Sequence, residues 1–176
     1  MPGSHHFCAD IEWLSNAGIT GGFGDGGFHP AAAVTRQSVA AFLYRYAGKP
    51  AFLPPLQPTF ADVPLTHPFF LEIEWLAHSG ITGGFADGGF HPAAPVTRQS
   101  MAAFLYRYAG SPAFAPPPAP TFGDVPTNHR FFVEIEWLAD TGVTGGFVDG
   151  GYHPADAVSR QAMAAFLHRF DGLDLG

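Results

Sequence analysis

Three arginines, Arg36, Arg98 and Arg160, stand 62 residues apart, each directly after Thr35, Thr97 or Ser159. Eleven residues ahead of each lies an aspartate, Asp25, Asp87 or Asp149, inside a glycine-rich Asp-Gly-Gly turn. Recurring cations and carboxylates of this kind do electrostatic recognition. They can pair with one another, or the cations can hold an anionic ligand. Arg98 sharpens the choice. It opens a helix predicted from the spacing, where the macrodipole is positive and disfavours a cation by about 0.3–1 kcal/mol. Met101, Ala102 and Leu105 lie three, four and seven residues on, so the side chain covers the end of an apolar stripe. One partner is structural: Asp87 of the turn, or Asp62 ahead of the preceding helix. The other is a bound anion, helped by free backbone N–H groups at the helix start. Both remain open at this level.

The elements that position these residues repeat with them. Trp13, Trp75 and Trp137 share the 62-residue period without insertion. Equal units of this size bury little surface alone, so a closed pseudo-threefold arrangement or a short stack with a shared core is expected. Each unit reads helix, glycine-rich loop, helix. In the second unit the first helix is predicted over residues 68–78. Phe69, Ile73, Leu76 and Ala77 form its buried stripe, Glu72 and Glu74 are expected in solvent, and Gly80 ends it. Asp87-Gly88-Gly89 between Phe85 and Phe90 reads as a tight turn, with the aspartate bonding its own following backbone. The second helix is predicted over residues 98–109, capped by the Thr97 hydroxyl for about 1 kcal/mol and closed by Gly110. Residues 49–59 and 111–121 are proline-rich linkers, each long enough to span roughly 30 Å when extended. The units are therefore residues 1–48, 60–110 and 122–176.

Of 176 residues 47% are hydrophobic, which supports one sizeable core. The net charge is −7, with one lysine against seven arginines, which argues against nucleic acid as a partner. No run approaches the roughly 18 apolar residues of a membrane span. The single Cys8 excludes an internal disulfide framework and takes a phenylalanine position of the repeat, so it reads as a small buried hydrophobe. The first unit lacks the Phe-x-Asp that precedes the others as Phe60-Ala61-Asp62 and Phe122-Gly123-Asp124, and Met1 stands at a valine position. The expectation is a chain that continues a longer reading frame and a first unit truncated at its start.

With these residues assembled, the chain resembles the S-layer homology (SLH) domain family in three tandem copies. The second unit carries the match in Phe60-x-Asp62-Val63, His67, Gly80-Ile81, Gly84-Phe85-x-Asp87-Gly88-x-Phe90-x-Pro92 and Val96-Thr97-Arg98. The resemblance implies a mainly α pseudo-threefold trimer of repeats with a central bundle of one helix per repeat. It also implies a secreted, surface-located anchor that binds an anionic cell-wall polymer in grooves between repeats, contacted by Arg36, Arg98 and Arg160. The candidate ligand-binding set adds Asp25, Asp87, Asp149, Gly22, Gly84, Gly146, Trp13, Trp75 and Trp137, the tryptophans standing between a core and a groove-wall role.

Two departures mark this chain. The family's Ala-Glu after the arginine is replaced by Gln37-Ser38, Gln99-Ser100 and Gln161-Ala162, which removes the capping-box glutamate. The family's tryptophan after the histidine is replaced by His6, Pro68 and Arg130. No Ser-His-Asp arrangement or paired carboxylates stand outside the repeat, so neither catalysis nor a cofactor is expected. His29, His91 and His153 could meet near a threefold axis, but no second ligand set accompanies them, and the Asp-Gly-Gly turns lack the alternating oxygens of a calcium loop. The rival to glycan anchoring is self-assembly or docking to a partner.

Overall fold

The computed structural model describes residues 6–174, so Met1 and its surroundings lie outside the described residues. Among the described residues there are six helices: α1 (Cys8–Asn16), α2 (Arg36–Tyr46), α3 (Phe70–His78), α4 (Arg98–Tyr108), α5 (Phe132–Asp140) and α6 (Arg160–Asp171). The mainly α, three-repeat architecture expected from the period is the one observed. None of these helices is long and apolar enough to cross a membrane.

The repeats close into a ring. The second helix of each packs on the first helix of the next: α2 on α3, α4 on α5, and α6 back on α1. At one end of the axis, Val34, Val96 and Val158 form a cycle of backbone bonds. Val34 N–H donates to Val158, Val158 to Val96 and Val96 to Val34, at 2.8–2.9 Å. All three side chains are buried, so the cycle is shielded from competing water. At the other end, Tyr46, Tyr108 and Phe170 bring the ends of α2, α4 and α6 together, with ring centroids 5.5–6.1 Å apart. Val39, Leu43, Met101, Leu105, Met163 and Leu167 are fully buried on the second helices.

Local chemistry explains most boundaries. The first helix of repeat 2 begins at Phe70 rather than Pro68 because His67 organises the entry. Its carbonyl accepts from Phe70 N–H at 2.9 Å and its Nδ1 from Phe69 N–H at 3.1 Å. The Thr97 hydroxyl accepts from Ser100 N–H and the Ser159 hydroxyl from Ala162 N–H, as N-caps do. Thr35 departs from the expectation: its hydroxyl bonds the Ser38 hydroxyl at 2.9 Å and takes no backbone N–H. Gly80 ends α3 at φ 71°, a backbone shape that costs a side chain.

One expectation for the repeat interior is corrected. Glu74 is 1% exposed rather than solvated, because its carboxylate accepts from Thr59 N–H at 2.8 Å and Thr59 hydroxyl at 2.6 Å. Glu136 does the same with Thr121. These bonds tie each linker to the first helix of the repeat it enters. Of the phenylalanines flanking the turn, Phe90 is fully buried, whereas Phe85 is half exposed.

The Phe-x-Asp segments ahead of repeats 2 and 3 cover the glycine-rich loops of those repeats. In repeats 2 and 3, Phe60 and Phe122 lie on Phe90 and Tyr152 with centroids 5.4 Å apart. Asp62 and Asp124 accept from the loop N–H groups of residues 90–91 and 152–153 at 2.7–2.8 Å. Among the described residues, Phe28 and His29 have no such acceptor, and Phe28 is only half buried. Glu12, the counterpart of Glu74, is exposed and accepts from the partly buried Cys8 thiol instead.

Candidate functional site

The three arginines occupy equivalent places, but each reaches across a repeat boundary. Arg36 Nε donates to the Phe90 carbonyl, Arg98 Nε to Tyr152 and Arg160 Nε to Phe28, all at 2.6 Å. Each guanidinium lies between two rings of the loop it meets. Arg36 sits 4.5 Å from Phe85 and 4.6 Å from Phe90, Arg98 equally close to Phe147 and Tyr152, and Arg160 to Phe23 and Phe28. Such cation–π contacts contribute about 0.5–2 kcal/mol each as desolvation increases. Burial pushes the Arg36 guanidinium down to about 10, with Asp62 acting the other way, and it lowers Arg98 and Arg160 as well. All three stay cationic at neutral pH.

This geometry resolves the partner question. Asp25, Asp87 and Asp149 do not pair with the arginines. One oxygen of each accepts from the N–H of Gly27, Gly89 or Gly151 at 2.9–3.0 Å. The other meets Nε2 of His29, His91 or His153 at 2.8–2.9 Å. The turn is thus an Asp–His clasp, and the histidines are engaged within their own loops rather than gathered at the axis. Asp62 bonds loop backbone and affects Arg36 only through space. The helix-start N–H groups are not free either. Those of Arg98 and Gln99 donate to Asp156 and Pro154 carbonyls at 2.9 Å, with the same pattern at Arg36 and Arg160. The first two N–H groups of each of these helices are therefore already engaged by the chain rather than open to an anion. What remains is the arginine fork: among the described residues, the terminal nitrogens of Arg36 and Arg98 have no protein acceptor.

The forks open onto grooves between repeats. One, of about 650 Å³, is lined by Arg36, Gly84, Phe85, Arg107, Arg130 and Phe131 among others. A second, of about 540 Å³, is lined by Arg98, Gly146, Phe147, Asp156, Arg169 and His6 among others. Gly22 occupies the matching loop position beside Arg160, where Thr20 accepts from both Gly22 N–H and Arg160 Nη2. The tryptophans are placed otherwise. Trp75 and Trp137 are core residues, 8% and 5% exposed, edge-on to Tyr44 and Tyr106. Trp13 is half buried and stacks on His168 at 4.9 Å.

Sequence reasoning passed over a second set of arginines. Arg45, Arg107 and Arg169 donate from Nη1 to the carbonyls of Ile19, Ile81 and Val143 at 3.2–3.4 Å. Their 62-residue spacing was the available signal, but each also reads as an ordinary cation in a helix's last turn.

The S-layer homology domain model matches this chain at residues 1–40, 59–102 and 121–164. The chain belongs to the S-layer homology domain family. Cell surface glycoprotein 1 of Acetivibrio thermocellus is 25% identical over 158 residues. That similarity takes in 84% of this chain but 7% of the relative. In this SLH trimer the arginine after the helix cap serves first as a clamp between repeats, and Arg36 and Arg98 line grooves between them.

Proposed function

We propose that this SLH trimer is a non-catalytic anchor that holds its protein to the cell surface by binding an anionic envelope glycan in the grooves between repeats. The observation that carries the reading is the clamped arginine: at Arg36 and Arg98 the Nε is fixed on a carbonyl at 2.6 Å and, among the described residues, the terminal nitrogens lack protein acceptors. A fork held this way recognises carboxylate or phosphate oxygens in two-point geometry without loss of side-chain freedom. Phe85 and Phe147 add half-exposed rings beside the fork, suited to the apolar face of a sugar. Membership of the SLH family and similarity to a cell surface glycoprotein support the surface location.

The test is co-sedimentation with sacculi that retain their anionic polymers. Arg36→Gln, Arg98→Gln and Arg160→Gln together should abolish retention in a protein whose helical circular dichroism is kept. Retention unchanged by the triple variant, or equal retention on polymer-stripped sacculi, refutes the reading. Concentration-dependent oligomers without retention would point to self-assembly instead.

A further inference from the structure

Resting on that reading, we infer that the grooves are not equivalent and that the Arg36 groove is the principal polyanion site, with Arg130 as its specificity-determining residue. Six of the seven arginines form the two symmetric sets already described, and each of those six donates to a backbone carbonyl. Arg130 is the seventh. It is exposed, lies 5.3 Å over its own Phe131 ring, and has no hydrogen-bond acceptor or carboxylate partner among the described residues. Its counterparts in the repeat are Pro68 and His6.

Arg130 lines the same groove as Arg36 and Arg107, and no aspartate or glutamate lines it. Three cations in about 650 Å³ repel one another unless an anion enters. They do so in a chain whose net charge is −7, where carboxylates are the commoner charged groups. The Arg98 groove shows the contrast. It has His6 where the first has Arg130, and the Asp156 carboxylate lies among its lining residues and acts on Arg98 through space. Asp156 replaces alanine at the matching positions, Ala32 and Ala94. The Arg36 groove therefore suits a glycan segment bearing more than one negative charge, one held at the clamped fork and another reached by Arg130. The Arg98 groove suits a segment of lower charge.

The experiment measures retention on polymer-bearing sacculi as salt is raised, for the parent, Arg130→Ser and Lys49→Asn. The last removes one exposed positive charge outside the groove linings. Arg130→Ser deletes a charge-assisted hydrogen bond to the glycan, so retention should weaken about tenfold and depend less steeply on salt, with Tm unchanged. Lys49→Asn should change retention less than about twofold. Equal effects of the two variants would overturn the inference while leaving glycan anchoring intact. If the triple arginine variant described above also bound normally, the underlying reading would fail as well. Arg36→Gln should weaken retention more than Arg98→Gln, and the reverse order would equally overturn the assignment.

Discussion

Equivalent glycines in the three repeats provide a measurement with its own internal control. Gly84, Gly146 and Gly22 have φ values of 69°, 69° and 73°, so alanine at any of them meets the left-handed backbone cost of about 1–2 kcal/mol. The surroundings differ. A Cβ on Gly84 would lie 2.5 Å from Phe60 Cε1 and 2.8 Å from the Gly89 carbonyl, and on Gly146 at the same distances from Phe122 Cε1 and the Gly151 carbonyl. On Gly22 the nearest atom among the described residues is the Gly27 carbonyl at 3.0 Å, with no aromatic ring of those residues within 4 Å. Overpacking of a filled site adds about 1–3 kcal/mol, whereas alanine returns about 0.4–1 kcal/mol through the unfolded chain in every case. Gly84→Ala and Gly146→Ala should therefore exceed Gly22→Ala by about 2 kcal/mol. At about 3 °C per kcal/mol for a chain of this size, the gap in Tm is about 6 °C. Thermal and urea unfolding read it directly. Phe60→Ala should be non-additive with Gly84→Ala, because it removes the ring that the new methyl would strike. Equal losses at all three glycines, or strict additivity of that pair, would refute the account of how Phe-x-Asp covers the loop.

Two further outcomes follow from the same geometry. Burial opposes ionisation of Asp124, but the backbone N–H groups of Tyr152 and His153 together outweigh it and hold the carboxyl below its usual range. Its stabilisation is thus present above the unfolded value near 3.9 and is lost as pH falls through the lower folded value. Asp124→Asn should cost about 1 kcal/mol at pH 7, after allowance for exposure, and should lose less Tm than the parent between pH 5 and about pH 2; parallel profiles would contradict it. Trp75→Ala should cost about 3–5 kcal/mol while leaving sacculus retention per folded molecule unchanged, and a selective loss of retention would return Trp75 to the groove.

Much of the fold is legible because the period of 62 residues places caps, stripes and turns in register, and each follows from local chemistry. Thr97 as cap and Gly80 as terminator depend only on near neighbours. The errors fall where a side chain's partner lies in another repeat or across a linker. Glu74 reads as a surface carboxylate until Thr59 folds back onto it from 15 residues away. In the sequence Arg98 can face Asp87, Asp62 or a bound anion, yet its carbonyl partner is Tyr152, 54 residues on, and Arg160 reaches Phe28 across 132 residues. Ring closure makes these contacts, and periodicity alone is equally compatible with a stack. Trp75 is ambiguous in the sequence for the same reason: its neighbour Tyr44 belongs to the preceding repeat.

Ring closure also constrains how binding can differ between grooves. Arg36, Arg98 and Arg160 each join two repeats through a carbonyl bond and a pair of rings, so changing one alters a repeat interface together with any ligand contact. Arg45, Arg107 and Arg169 carry similar obligations to loop carbonyls. Position 130 carries none: Arg130 touches the groove without a hydrogen bond that the fold requires, and the equivalent places hold histidine and proline. A symmetric scaffold with fixed cations can thus acquire unequal grooves through single exposed residues at little cost in stability. Affinity and charge preference are then separable from folding at Arg130, where they are not at Arg36, and this makes Arg130 the sharper probe of what the trimer binds.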